Sequence, residues 1–277
     1  MTASATTNAD TSRIRHVVLD MDGTIYKGGT LFPWTKPFLD SLTRHGIGYT
    51  FLTNNPSKSS ADYLAHLERI GIPSAPEQLY TSAQATIDWL KANHPEFRRL
   101  FLLGTPSMIG EFTKAGYESA NDDPADVPDA VIAAFDMSLT YARLCRASWW
   151  ASQGRPYFAT NPDRICPTDL PTVLVDCAAI CAAIQSATGR APDKVFGKPD
   201  PSMVTGILQR HNLRPEEVAM VGDRIYTDIA MAQNAGVTGV LVLSGEATRQ
   251  DAEESSVKAD IIVENLAGLG EMLTGSR

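Results

Sequence analysis

The stretch Val17-Val18-Leu19-Asp20-Met21-Asp22-Gly23-Thr24 runs from apolar residues into two carboxylates and then into a glycine. Val17, Val18 and Leu19 have the character of a strand covered on both faces. Side chains two apart on a strand point the same way, so Asp20 and Asp22 leave its end on one side while Met21 turns back to the core. Gly23 lets the chain bend away. Two like charges held that close repel each other, and a bound cation relieves them. Three more polar clusters follow apolar runs: Thr53-Asn54-Asn55-Pro56, Gly197-Lys198-Pro199, and Gly222-Asp223-Arg224 with Asp228 close behind. The inventory is carboxylates for a hard cation, a lysine and a hydroxyl for phosphate oxygens, and helix starts after Asn55 and Arg224 for an anion. That is the equipment of phosphoryl transfer, which needs positioning and charge neutralisation above all. Each cluster alone has a plainer explanation: a solvated turn for Asp20 and Asp22, an ordinary turn for Gly-Lys-Pro, a helix cap for Asp223. The weight lies in their joint occurrence.

For the clusters to meet, each must end a strand of one parallel sheet, since ligands of open α/β sheets bind outside the carboxyl ends of the strands. The pattern supplies such strands at 15–19, 47–52, 194–196 and 218–221. A helix is expected over 33–45, where Phe38, Leu39 and Leu42 share a face and Gly46 ends it. Another starts at Ser57 and carries Tyr63, Leu64, Leu67 and Ile70 at helical spacing. Residues 23–33 read as a loop. Helices at 202–211 and 227–235, strands at 237–243 and 261–263, and helices at 248–255 and 266–273 complete the second half. Between the second and third clusters the alternation restarts, with helices at 83–93, 107–115, 138–152 and 176–188 and strands at 100–103, 130–135, 157–159 and 172–175. Repeated strand–helix units mean an α/β fold with a parallel sheet. The expected organisation is a disordered tail over 1–13, a Rossmann-like core over 14–82 and 189–277, and an inserted α/β domain over 83–188.

The chain has 277 residues, 43% of them hydrophobic, enough for a sizeable core. A net charge of −8 disfavours nucleic acid or an anionic membrane surface as partner. No apolar run approaches the roughly 18–20 residues that cross a bilayer. The first dozen residues are rich in Thr, Ser, Ala and Asn and lack the apolar segment of a secretory signal. The four cysteines, Cys145, Cys166, Cys177 and Cys181, form no Cys-x-x-Cys pair. Cys177 and Cys181 lie one helical turn apart and read as buried small residues rather than a metal pair. A reduced, cytoplasmic protein is expected.

The order Asp20-Met-Asp22-Gly-Thr, Thr53-Asn54-Asn55, Lys198 within Gly-Lys-Pro, and Gly222-Asp223-Arg224 followed by Thr227-Asp228 resembles the four motifs of the haloacid dehalogenase-like phosphatases. Thr-Asn-Asn in the second motif looks like the NagD-like or nitrophenylphosphatase-like group, whose large cap is inserted between the second and third motifs. Residues 83–188 suit such a cap, and Ala159-Thr-Asn-Pro-Asp163 is similar to that group's cap motif. Two cap segments depart from the group: Val175-Asp176-Cys177-Ala178 stands where a Gly-rich turn is usual, and Ala134-Phe135-Asp136 where a Gly-containing triplet is.

The resemblance implies a Mg²⁺-dependent phosphatase of small phosphate monoesters, with sugar phosphates, nucleoside monophosphates and phosphoglycolate-like acids all open as substrates. Asp20 would attack phosphorus and form an aspartyl-phosphate. Asp22 would protonate the leaving oxygen and then activate water. Mg²⁺ would be held by Asp20, Asp223 and the main-chain carbonyl of Asp22, with Asp228 nearby or through water. Thr53, Asn54, Asn55 and Lys198 would hold the phosphoryl group. Asn161 and Asp163 would face the substrate, unless they only cap a turn, and Arg164 would read an anion, unless it is a surface arginine. Trp149 and Trp150 read as cap packing or a partner surface rather than a substrate platform. A cap-mediated homodimer would suit the group. The competing readings are a phosphotransferase of the same chemistry and a catalytically silent binding module. Both Asp20 and Asp22 are present, which disfavours the last.

Overall fold

The computed structural model describes residues 6–7, 10–54, 59–166 and 171–275. The chain divides into two compact units. The first comprises Met1–Thr53, Leu64–Tyr80 and Lys198–Arg277, the second Asn54–Tyr63 and Thr81–Gly197. The inserted domain was expected over 83–188, so the second unit reaches beyond that range at both ends.

In the first unit the described residues form a seven-stranded sheet. Its order is Thr6–Thr7, Ile261–Val263, Thr238–Val242, Val218–Gly222, His16–Leu19, Gly48–Thr53 and Leu79–Thr81. The strand His16–Leu19 lies in the middle, buried at every position. It runs parallel to both neighbours, with Leu19 opposite Phe51 on one side and Val221 on the other. That register sets Thr53, the last residue of its strand, at the same edge as Asp20 and Asp223, which lie just past the ends of theirs. Helix Thr35–Arg44 buries Phe38, Leu39 and Leu42 along one stripe, each worth about 1.5–3 kcal/mol of apolar burial. Gly46, at φ +69°, turns the chain into the next strand.

Three features of this unit depart from the sequence reading. Thr6 and Thr7 pair antiparallel with Ile262 and Ile261, so part of the stretch read as a disordered tail adds an edge strand. The stretch read as a loop contains the hairpin Tyr26–Lys27 and Thr30–Leu31. Its turn is Gly28-Gly29, and Gly28 has φ +57°, as a tight hairpin turn demands. The helix read over 227–235 begins earlier, with a π-turn at Ile225–Ile229, and only then continues as α-helix Ala230–Ala235. The wider turn carries Asp228.

The second unit contains a five-stranded parallel sheet ordered Lys194–Val195, Tyr157–Ala159, Ala130–Ala133, Arg99–Leu103 and Glu118–Ser119. Alternation along the strands feeds two cores. Leu100, Leu102 and Ile132 face a cluster with Ile87, Leu90 and Phe112 from helices Ser82–Asn93 and Pro106–Lys114. Phe101, Leu103, Val131 and Ala133 face the other side, with Trp150 and Ile180 from helices Tyr141–Ser152 and Cys177–Thr188. Cys177 and Cys181 are buried free thiols in that layer. Two fully covered faces explain why these strands read as continuous apolar runs.

One buried group ties the stability of the first unit to pH. His16 is 5% exposed, with Nε2 2.9 Å from Thr50 Oγ1 and its ring 4.6 Å from that of His211. Burial and the nearby His211 push it down to about 4. A folded-state pKa below the unfolded value of about 6.5 means the neutral form is required. Its contribution is therefore complete above about pH 6.5 and is lost as pH falls through 4, amounting to about 2–3 kcal/mol by pH 4.5. Urea melts at pH 7 and 4.5 should show His16→Gln losing less stability than the parent. Equal losses would assign the acid sensitivity to other groups.

Candidate active site

Asp20 follows the central strand, and its N–H donates to Val221 O at 2.9 Å, which locks the two strand ends together. Lys198 does not end a strand of this sheet as expected: strand Lys194–Val195 pairs in the second unit's sheet, and Lys198 lies on the segment that returns to the first unit. It is 4% exposed, and its Nζ donates to Asp20 Oδ1 and, at 2.7 Å, to Asp228 Oδ1. The π-turn folds Asp228 back so that its Oδ2 accepts the Arg224 N–H at 3.1 Å. Gly222 makes room for this: a Cβ there would lie 2.2 Å from Asp228 Cγ. Asp223 completes the group. Its Oδ2 accepts the Glu246 N–H at 2.7 Å, and its main-chain carbonyl accepts that of Ala247 at 3.1 Å. Cβ atoms added at Gly23 and Gly245 would sit 2.2 and 2.0 Å from Asp223 Oδ2. Both glycines are thus required by the close approach of a carboxylate.

Carboxylate oxygens of Asp20, Asp223 and Asp228 lie within 4.8 Å of one another. Three carboxylates against one lysine leave a formal charge of −2 in a largely buried group. Burial, then the charges of Asp20 and Asp228, push Asp223 up to about 7. Burial pushes Asp228 up to about 6 against the attraction of Lys198. Burial also works against the Lys198 charge, but Asp20 and Asp228 more than offset it and hold its pKa above the ordinary lysine value. Asp223 Oδ1 is buried and has no hydrogen-bond partner among the described residues, an uncommon and costly state for a carboxylate oxygen. The donor set is all oxygen, closely spaced and doubly negative, which fits a hard divalent cation.

The other predicted residues fall in different places. Asp22 leaves the same strand end but is exposed and stands apart from the carboxylate group. Its Oδ1 accepts the Gly28 N–H, at the tip of the hairpin, at 3.3 Å. Thr53 ends its strand 8% exposed. Asn55 lies outside the described residues. Asn54, Asn161 and Asp163 come together in the second unit: Asp163 Oδ2 accepts Asn54 Nδ2 at 3.2 Å and Asn161 Nδ2 at 3.4 Å. Arg164 is exposed, and its carbonyl accepts the Asp176 N–H at 3.0 Å.

Two acidic residues escaped the sequence reading. Asp176, in the segment that departs from the group pattern, caps helix Cys177–Thr188 and accepts Asn161 Nδ2 at 3.2 Å. Burial raises it to about 6 against the hydrogen bonds from the Cys177 N–H and the Asn161 amide. Glu246 holds Asp223 through its main chain. Its only sequence signal is a Ser-Gly-Glu turn after an apolar run.

A parallel sheet whose carboxyl edge gathers three carboxylates around a buried lysine defines an α/β enzyme with an acidic, cation-ready site. Comparison with known proteins places it more closely. A haloacid dehalogenase-like hydrolase model matches residues 17–118, and a second, HAD-hydrolase-like model matches 195–269. The chain is 30% identical over 254 residues to the ribonucleotide monophosphatase NagD of Escherichia coli, covering 92% of this chain and 97% of that one. It is also similar to the crystal structure of a 4-nitrophenylphosphatase from Thermotoga maritima, with TM-score 0.88 and 36% identity over 95% and 98% of the two chains. A glycerol phosphate phosphatase from Mycobacterium tuberculosis, in complex with magnesium, superposes with TM-score 0.85 at 28% identity, over 94% of this chain and 78% of that one. The chain belongs to the haloacid dehalogenase-like hydrolases and is an enzyme of the phosphatase type. Among the described residues no helix is long and apolar enough to cross a membrane.

Proposed function

We propose that the protein is a Mg²⁺-dependent phosphatase of small phosphate monoesters, acting through an aspartyl-phosphate on Asp20. The observation that carries this reading is the group of Asp20, Asp223 and Asp228 around Lys198, with a buried oxygen on Asp223 that has no partner among the described residues. Asp20, Asp223 and Asp228 would hold Mg²⁺, which when bound neutralises charge on the phosphoryl oxygens and keeps the carboxylates ionised. Asp20 supplies the attacking oxygen. Lys198, tied to both Asp20 and Asp228, aligns that carboxylate and offers a positive charge to the phosphoryl group. Thr53, at the end of the adjacent strand, supplies a hydroxyl to the same group. Asp22, outside the carboxylate group, is free to give a proton to the leaving oxygen and to take one from water in the second step. The relatives' names span ribonucleotide, nitrophenyl and glycerol phosphates, in keeping with a small monoester as substrate.

The test is phosphate release from p-nitrophenyl phosphate and a panel of phosphometabolites, with and without Mg²⁺. Excess chelator is expected to abolish turnover and Mg²⁺ to restore it. Ca²⁺ should bind yet support little turnover, because it accepts 6–8 looser oxygen ligands at roughly 2.3–2.6 Å and misplaces the carboxylate that must attack in line. Full activity in chelator would remove the metal from the reading. A protein inert toward the whole panel would remove the phosphatase.

A further inference from the structure

The edge of the carboxylate group carries a second charged set that the reaction above does not use. Arg224 follows Asp223 at the end of strand Val218–Gly222, and Glu246 lies in the turn after the neighbouring strand, Thr238–Val242. The Glu246 carboxylate is engaged twice: Oε2 lies 2.8 Å from Arg224 Nε, and Oε1 accepts the Tyr226 O–H at 2.9 Å. Arg224 Nε is buried, and its N–H lines up with no acceptor among the described residues. The contact is thus an ion pair without a well-aimed hydrogen bond. The side chains of Arg224 and Glu246 are 36% and 49% exposed, and Tyr226 is 60% exposed, so the set is open to an incoming molecule. Burial disfavours the guanidinium charge, while Asp223, Glu246, Tyr226 and Asp20 favour it. Arg224 follows Asp223 directly, and the Glu246 main-chain N–H donates to Asp223 Oδ2 at 2.7 Å, so the pair borders the carboxylate group.

A free arginine at that position would draw any leaving group bearing a second carboxylate or phosphate, by a charge-assisted hydrogen bond. Glu246 cancels that attraction and presents a like charge to such a group. Discrimination between ligands often rests on a repulsive element of this kind. We infer that Glu246, by holding Arg224, makes the site prefer phosphate monoesters whose leaving group is uncharged, such as a polyol, a nucleoside or a phenol, over those carrying a second anion. The inference rests on the phosphatase reading, and its test separates the two.

The variant is Glu246→Gln, which keeps the shape, the main-chain N–H to Asp223 and an oxygen for Tyr226. Binding of two size-matched, unreactive phosphonates, phosphonoacetate and 2-hydroxyethylphosphonate, is measured by calorimetry in Mg²⁺. The ratio of their affinities should move toward phosphonoacetate by about fivefold, the upper range for a partly exposed ion pair. Adding Arg224→Ala should return the ratio to the parent value. An unmoved ratio in Glu246→Gln overturns the inference. So does a shift that survives Arg224→Ala, or a parent protein that binds neither phosphonate. Turnover of p-nitrophenyl phosphate by the parent is recorded alongside. If turnover is absent while the ratio shifts as expected, the phosphatase reading fails and the anion discrimination stands.

Discussion

Replacing Asp20 by asparagine is expected to lower kcat/KM by about 10⁴-fold or more, because an amide oxygen is a poor nucleophile. The fold should survive. Asparagine retains an oxygen that can accept from Lys198 Nζ, and Lys198 keeps its 2.7 Å bond to Asp228. Removing one of three clustered carboxylates also relieves repulsion within the group. The melting temperature without metal should therefore stay within a few degrees of the parent. Turnover above about one hundredth of the parent, measured with saturating Mg²⁺, would place the nucleophile elsewhere. Unfolding of the variant would make Asp20 a structural residue first.

Asp22→Asn separates the second aspartate from the first. Both leave one strand end, yet only Asp20 joins the carboxylate group, while Asp22 is exposed and touches the Gly28 N–H. A general acid matters in proportion to how poor the leaving group is. An alkoxide leaving from glycerol or a sugar needs a proton, whereas nitrophenolate scarcely does. Asp22→Asn should slow the first step with a sugar phosphate by about 10²–10⁴-fold, the usual worth of general acid catalysis. With p-nitrophenyl phosphate the first step should fall far less. The trace would then show a burst of nitrophenol followed by slow turnover, since hydrolysis of the aspartyl-phosphate still lacks its base. Rapid-mixing measurements on both substrates decide the matter. Equal losses would make Asp22 a positioning residue.

The parts most legible in the sequence were those with a strong local signal. Strands Tyr157–Ala159 and Ile261–Val263 and helix Ser202–His211 stand where the pattern put them. Val17, Val18 and Leu19 announce a buried strand whose carboxyl end carries aspartates, and the register of its neighbours follows from the parallel fold. Elements of two residues were less legible. Thr6–Thr7 and the hairpin strands Tyr26–Lys27 and Thr30–Leu31 are too short to show a period, and their pairing depends on a partner or a turn. The π-turn was hidden because helical periodicity around Asp228 continues into Ala230–Ala235. The widened turn goes with the bonds of the Asp228 carboxylate to Lys198 and to the Arg224 N–H, which residue spacing does not show. Glu246 was invisible for a related reason. It acts through its main chain on Asp223 and through its side chain on Arg224, and neither contact leaves a mark on residue spacing.

The order of chain segments in the first unit has a consequence in time. Its two central strands, His16–Leu19 and Val218–Gly222, are neighbours in the sheet, but nearly the whole second unit lies between them in the chain. A ribosome adding about 5–20 residues per second would deliver the second of these strands roughly 10–40 s after the first. Through that interval Val17, Val18 and Leu19 have Gly48–Thr53 on one side and an open edge on the other. The second unit, drawn almost entirely from one run of chain, can close while this edge still waits. The nascent protein thus exposes an unpaired apolar strand for most of its own synthesis, the situation in which chaperones engage and aggregation begins.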